Sequence, residues 1–166
     1  PIVTGTFDPP HIQHTAPLLG SLEELEGRGI TNPFLLVPHS RNTDKTPVAT
    51  LSERREWLLD TVDFFADRVA CRVKLCVGIG EPREPYLYDL PEALQKRLLR
   101  IAGSDKGGKI KNGHIDTFFV EREIDMSSTR VKQLMAMTGS HPDLKLTLAP
   151  KVLADILARE YYRKAA

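Results

Sequence analysis

Only two cysteines occur in the 166 residues, Cys71 and Cys76, and there is a single tryptophan. No second cysteine pair and no histidine pair sits at ligand spacing, which argues against a structural zinc site. Cys76 lies in the alternating segment Arg72-Val73-Lys74-Leu75-Cys76-Val77, as expected for a strand thiol. Excess charge is lacking too: 23 Lys and Arg against 22 Asp and Glu leave a formal net charge of +1. Bulk electrostatics therefore gives no reason to expect nucleic-acid or membrane binding, although a local basic pocket remains open. There is no apolar run long enough to span a bilayer and no secretory-type segment. The expectation is a reducing, cytoplasmic setting with no membrane partner. Repeats and low-complexity linkers are also missing, and the length suits one domain over 1–166. A chain of this size buries roughly 70% of the surface it exposes when unfolded. Its 41% hydrophobic and 27% charged residues are ordinary for a globular protein. The opening Pro1-Ile2-Val3-Thr4-Gly5 reads as a strand already under way, which sets the expectation of residues in front of it.

Short apolar strands alternate with amphipathic helical segments. Strands are expected near Pro1–Thr4, over Phe34–Val37, over Arg72–Val77 and around Ile115–Val120. Thr50-Leu51-Ser52-Glu53 is a capping-box pattern, followed by Trp57, Leu58, Val62 and Phe65 on one helical face. Asp89-Leu90-Pro91-Glu92 is a second start signal, with Leu94, Leu98 and Leu99 as the buried stripe it predicts. Ser127 or Ser128 caps a helix carrying Val131, Leu134 and Met135, ending near Gly139. A last helix is expected from about Pro150 to Tyr162, burying Val152, Leu153, Ile156 and Leu157. Strand-helix alternation with right-handed crossovers gives an α/β fold: a doubly wound, Rossmann-like parallel sheet with helices on both faces. Ligands in such folds bind beyond the carboxyl ends of the strands.

The densest chemical signal follows the first strand: Gly5-Thr6-Phe7-Asp8-Pro9-Pro10-His11-Ile12-Gln13-His14. Gly5 ends the strand and lets a phosphate or backbone come close. Thr6 offers a hydroxyl and an N–H, and two prolines stiffen the turn. His11 and His14 are three residues apart, so an opening helical turn points both to one side. Helix amino termini attract anions, and two imidazoles beside one make a phosphate site. Pro17 should kink the following helix unless that helix begins only near Thr15. Lys106-Gly107-Gly108-Lys109 is not a phosphate-binding Walker loop, because its spacing and final residue are wrong; it reads as a solvated basic turn.

This string resembles the GTFDPxHxGH signature of the nucleotidyltransferase superfamily that includes the nicotinate mononucleotide and phosphopantetheine adenylyltransferases. Gln13 stands at the motif's second glycine. Met126-Ser127-Ser128-Thr129-Arg130-Val131-Lys132 resembles the family's ISSTxIR motif, with Lys132 at its closing arginine. Pro38-His39 through Thr50, with Ser52 and Arg55, resembles the PHK…S…R region of the nicotinate enzymes. Ser40 takes the lysine position there, and Lys45 is a substitute for it. Glu84-Pro85-Tyr86-Leu87-Tyr88-Asp89 resembles the SYTxDTL segment that frames a pyridine ring, with Leu87 and Leu90 replacing threonines. Ile101-Ala102-Gly103-Ser104-Asp105 resembles a strand-end GxD that holds adenosine, and Leu148-Ala149-Pro150 onward resembles the nicotinate branch's final helix.

The resemblance implies AMP transfer from ATP to nicotinate or nicotinamide mononucleotide, with release of pyrophosphate, as in NAD biosynthesis. His11, His14 and Lys132 would be the catalytic groups. Gly5, Thr6, Phe7, Gly103, Asp105, Ser127, Ser128, Thr129 and Arg130 would bind ATP and its phosphates. Asp8, His39, Lys45, Arg55, Tyr86 and Asp89 would face the acceptor. Tyr86 and Trp57 are candidates to stack on a ring, and Trp57 also suits a core position. Magnesium is implied, held by ATP phosphates and water, with no dedicated protein ligand set. The partners would be ATP and a phosphorylated small-molecule acceptor, with no nucleic acid; a homo-oligomer is left open. Two other readings stand beside this one. A phosphopantetheine or cytidylyl-type enzyme is favoured by Val131-Lys132 and by the short gap between Asp105 and Ser127. A nucleotide-binding module with impaired catalysis is favoured by Gln13, Ser40 and Leu87.

Overall fold

Five short parallel strands form one sheet: β1 (Ile2–Val3), β2 (Phe34–Pro38), β3 (Lys74–Gly78), β4 (Leu99–Gly103) and β5 (Asp116–Val120). They come from a computed structural model that describes residues 2–3, 5–29, 34–38, 47–66, 74–78, 90–104, 114–121, 126–137 and 141–163. The order is β3-β2-β1-β4-β5. The sheet therefore grows outward from β1 in both directions, so the strand order reverses there. Register Ile2↔Leu36 on one side and Val3↔Ile101 on the other brings the carboxyl ends of β1 and β4 to the same edge. The expected α/β class and parallel sheet are present. The expectation of helices on both faces extends into segments outside the described residues.

Helix α1 (Thr15–Gly27) packs on β4 and β5. Gly20 sets how close it comes, since a Cβ there would meet Val120 at 2.3 Å. A 3-10 turn, Ile12–His14, precedes α1. Pro17 thus falls in the helix's first turn, where its missing N–H has no intrahelical acceptor to lose, and the kink it threatened is avoided. Helix α2 (Leu51–Phe65) begins at the expected capping box: Thr50 Oγ1 accepts from Glu53 N–H, and Glu53 accepts from Thr50 N–H. Trp57, Leu58 and Val62 are buried on its inner face, with Phe65 half-buried. The core reading of Trp57 holds, and its Nε1–H donates to Asp155 at 2.7 Å.

Two segments depart from expectation. The helix after Pro91 is only α3 (Glu92–Gln95), and Leu94 is 46% exposed. Gln95 anchors its end, donating to the Leu90 carbonyl and accepting from His114 N–H. Leu99 is not the last residue of a helical stripe but the first of β4, the strand between β1 and β5. A short apolar run has no decisive period, and pairing on both edges overrides its helical preference. The last helix also stops early. Helices α4 (Ser128–Met137), α5 (Pro142–Thr147) and α6 (Pro150–Ala158) follow β5. After Ala158 the chain turns through Glu160 (φ 56°) and Tyr162 (φ 62°).

The buried side chains fall into two clusters. One joins Phe7, Leu18, Leu22, Leu58, Val62 and Ile101, with Leu99, Phe118 and Val120 of β4 and β5 packed against it. The other joins Trp57 to Val131, Leu134, Leu144, Val152 and Ile156 of α4, α5 and α6. Between them runs the loop that follows β1.

Candidate functional site

The loop is built around a backward fold of Phe7. Its φ of 49° lies in the left-handed region, unusual for a residue with a Cβ. The ring consequently lies over Gly5, where an added Cβ would stand 2.8 Å from a ring carbon. A side chain there would have to displace the ring. The ring is 5% exposed and meets His14 edge-on at 4.9 Å. Phe7 thus backs His14 from inside the core.

His11 and His14 come together as their spacing predicts. Their ring centroids are 3.9 Å apart, tilted by 38°. His11 N–H donates to His14 Nδ1 at 3.1 Å, so a neutral His14 carries its proton on Nε2. The backbone also closes the turn, with His14 N–H donating to the His11 carbonyl at 2.8 Å. Thr15 Oγ1 donates to the Ile12 carbonyl at 2.6 Å, which fixes where α1 starts. Gln13 is buried.

Asp8 is the second anchor of the loop, with four hydrogen bonds to its carboxylate. One oxygen accepts from Ala49 N–H at 3.2 Å and from Tyr162 OH at 2.6 Å. The other accepts from Val48 N–H at 3.1 Å and from Lys132 Nζ at 2.5 Å. Four donors match the lone-pair capacity of a carboxylate. Burial pushes the Asp8 carboxyl up, yet the Lys132 and Tyr162 hydrogen bonds, the Lys132 charge and the Val48 N–H together hold it below its ordinary value. Burial and the neighbouring Asp8 charge push the Tyr162 hydroxyl far up, so it stays a donor. The sequence suggested that Asp8 faces an acceptor. In this structure it is 1% exposed, and contact with an acceptor requires one of the four donors to leave.

Helix α4 meets the same loop. Ser128 Oγ donates to the Pro9 carbonyl at 3.0 Å, and Lys132, one turn later on the same face, pairs with Asp8. Ser127 Oγ accepts from Arg130 N–H at 3.2 Å. The start of α4 therefore abuts the loop, with Thr129 and Arg130 exposed beside it. Lys132 is 33% exposed and retains further N–H donors beyond the one given to Asp8.

Arg54, not singled out in the sequence, belongs to this cluster. It donates to the Thr6 carbonyl at 2.9 Å and to the Thr50 carbonyl at 3.3 Å. Burial pushes its pKa down, opposed by the Asp8 charge. The available signal was helical phase: Arg54 shares a face with Leu58 and Thr61, both buried, whereas Arg55 is half-buried. Gly103 ends β4 at the same sheet edge as the loop. His39, Lys45, Tyr86, Asp89 and Asp105 lie outside the described residues. The structure thus brings together Gly5 to His14 with Ser127 to Lys132, and adds Arg54 and Tyr162.

No family model matches the chain, and no curated protein matches it. Solved structures do. A Plasmodium falciparum nicotinic acid mononucleotide adenylyltransferase complexed with NaAD is similar with a TM-score of 0.68 and 15% identity, over 97% of this chain and 95% of that one. A complex of the Plasmodium falciparum enzyme with APC is similar at a TM-score of 0.67 and 14% identity, with the same coverage. The chain has the nucleotidyltransferase-like fold of these enzymes.

Proposed function

We propose that this protein is a nucleotidyltransferase that moves AMP from ATP to nicotinate or nicotinamide mononucleotide and releases pyrophosphate. One observation carries the reading: the histidine loop after β1 is docked on the start of α4 through Ser128 to Pro9 and Lys132 to Asp8. Imidazole N–H, helix amino terminus and ammonium then share one edge of a parallel sheet, an arrangement suited to a polyphosphate.

The acceptor's phosphate has a second pKa of about 6 and is largely dianionic at neutral pH. One of its oxygens attacks the α-phosphorus of ATP. The bond from that phosphorus to the α–β bridging oxygen breaks, and its electron pair leaves with pyrophosphate. No covalent enzyme intermediate and no strong base are required. The protein aligns the reactants and offsets charge growing on the leaving group. His14 has its Nδ1 lone pair engaged by His11 N–H and so would donate from Nε2. Thr6 and the Ser128 and Thr129 backbone N–H groups at the start of α4 would hold phosphates, since the Ser128 hydroxyl already donates to Pro9, with Lys132 balancing pyrophosphate.

Among the described residues no three His, Cys, Asp or Glu groups converge on a metal position. Asp8, the buried carboxylate of the loop, spends its oxygens on four donors. This donor set suits phosphate rather than a bare divalent ion. Magnesium would arrive with ATP, held by phosphates and water, and would supply charge neutralisation.

The test is pyrophosphate release and product mass with magnesium, ATP and each of nicotinate mononucleotide, nicotinamide mononucleotide and phosphopantetheine. A dinucleotide product is expected, with His14→Ala lowering the rate about 10²–10³-fold. Product only with phosphopantetheine would keep the chemistry and change the acceptor. ATP binding without turnover on any acceptor would refute the enzyme.

A further inference from the structure

The last described residues return to the loop. Glu160 and Tyr162, both at left-handed φ without being glycine, turn two adjacent rings back onto α2 and the β1 loop. Tyr161 meets Trp57 edge-on at 6.1 Å, and its OH donates to Glu53 at 3.1 Å. Its neighbour does something different. Tyr162 OH donates to Asp8 at 2.6 Å, and Lys132 Nζ stands 5.1 Å from the Tyr162 ring centroid. The Lys132 ammonium is therefore met twice by one residue, through the ring face and through the carboxylate that the hydroxyl holds.

We propose that Tyr162 is a positioning residue that sets the Lys132 ammonium for the nucleotide's phosphates, a proposal that rests on the nucleotidyltransferase reading above. The hydroxyl supplies one of Asp8's four donors. Without it, Lys132 is the mobile donor nearest the vacant lone pair and is drawn deeper between the two oxygens, away from phosphate. Without the ring, the ammonium also loses the surface that limits its swing. Among the described residues, Asp8, Arg54 and the Val48 and Ala49 N–H groups also face this position.

Tyr162→Phe removes the hydroxyl alone, and Tyr162→Leu removes ring and hydroxyl together. Tyr161→Phe is the control, because its hydroxyl serves Glu53 and not the loop. Each variant is assayed for kcat/KM of ATP, KM of the acceptor, melting temperature and calorimetric affinity for inorganic triphosphate. The expected result for Tyr162→Phe is a loss of about tenfold in kcat/KM for ATP and in triphosphate affinity, on the scale of one hydrogen bond to a charged group. The acceptor's KM should be unchanged, Tyr162→Leu should lose more, and Tyr161→Phe should stay within about twofold. Equal effects of Tyr162→Phe and Tyr161→Phe, or losses that track melting temperature and raise the acceptor's KM alike, would overturn the proposal. Should the unaltered protein turn over no acceptor, the functional reading fails by itself. Triphosphate binding then decides this proposal: selective weakening in the Tyr162 variants supports it, while equal binding, or none by the unaltered protein, overturns it.

Discussion

Phe7 and Asp8 are adjacent, both almost wholly buried, and held by opposite means. Phe7 is fixed by shape: its ring fills the space over Gly5, joins the cluster of Leu18, Leu22 and Ile101, and backs His14. Asp8 is fixed by valence, with four donors from three distant stretches of chain. One peptide bond separates the two anchors. Packing is insensitive to salt and to acid, whereas a carboxylate network depends on remaining ionised. The histidine end of the loop should therefore survive conditions that loosen the Lys132 end.

The largest effect that would sharpen this contrast is Phe7→Ala. It should cost about 3–5 kcal/mol by leaving a cavity behind His14, read from denaturant midpoints that shift alike in low and high salt. A loss below 1 kcal/mol would mean that the ring is not the loop's support. Next comes Asp8→Asn, which keeps the shape and removes the charge. A cost of about 2–4 kcal/mol is expected, because Lys132 loses its partner and an amide nitrogen faces donors. The same variant tests the pH dependence. Since the folded Asp8 pKa lies below its ordinary value, its contribution is complete above pH about 4 and is lost as pH falls through the folded value. Glu53 and Asp155 are also held below their ordinary values, burial raising each and hydrogen bonds outweighing it. Stability should thus still decline with acid in Asp8→Asn, but less steeply than in the unaltered protein; identical slopes would contradict the network. The smallest effect is expected of Ser128→Ala. Losing the bond to the Pro9 carbonyl should cost about 1 kcal/mol in thermal unfolding.

Much of this arrangement was legible in the sequence. The capping box of Thr50 and Glu53, the Val131, Leu134 and Met135 stripe, Pro150 opening the last helix and the pairing of His11 with His14 all appear as expected. What was misread shares a property: partners far away in the chain. Leu99 reads as the tail of a helical stripe until β4 is found to start there, with β1 and β5 on its two edges. Arg54 is one of two adjacent arginines until the Thr6 carbonyl selects it. Tyr162 reads as the end of an amphipathic helix until the chain turns and delivers its hydroxyl to Asp8, 154 positions earlier.

The sequence by itself determined what depends on neighbours within a few residues: helix starts, the buried stripes of α2 and α4, four of the five strands and the chemistry gathered in the Gly5 to His14 string. Those features follow from local hydrogen bonding and side-chain period, which act over three or four positions. Only the tertiary structure decided which groups share a carboxylate, which arginine enters the loop and where the final tyrosines point. A buried charge must collect its donors from whatever the fold brings within about 3 Å, and nothing in the local sequence around Asp8 names Val48, Lys132 or Tyr162 as those donors.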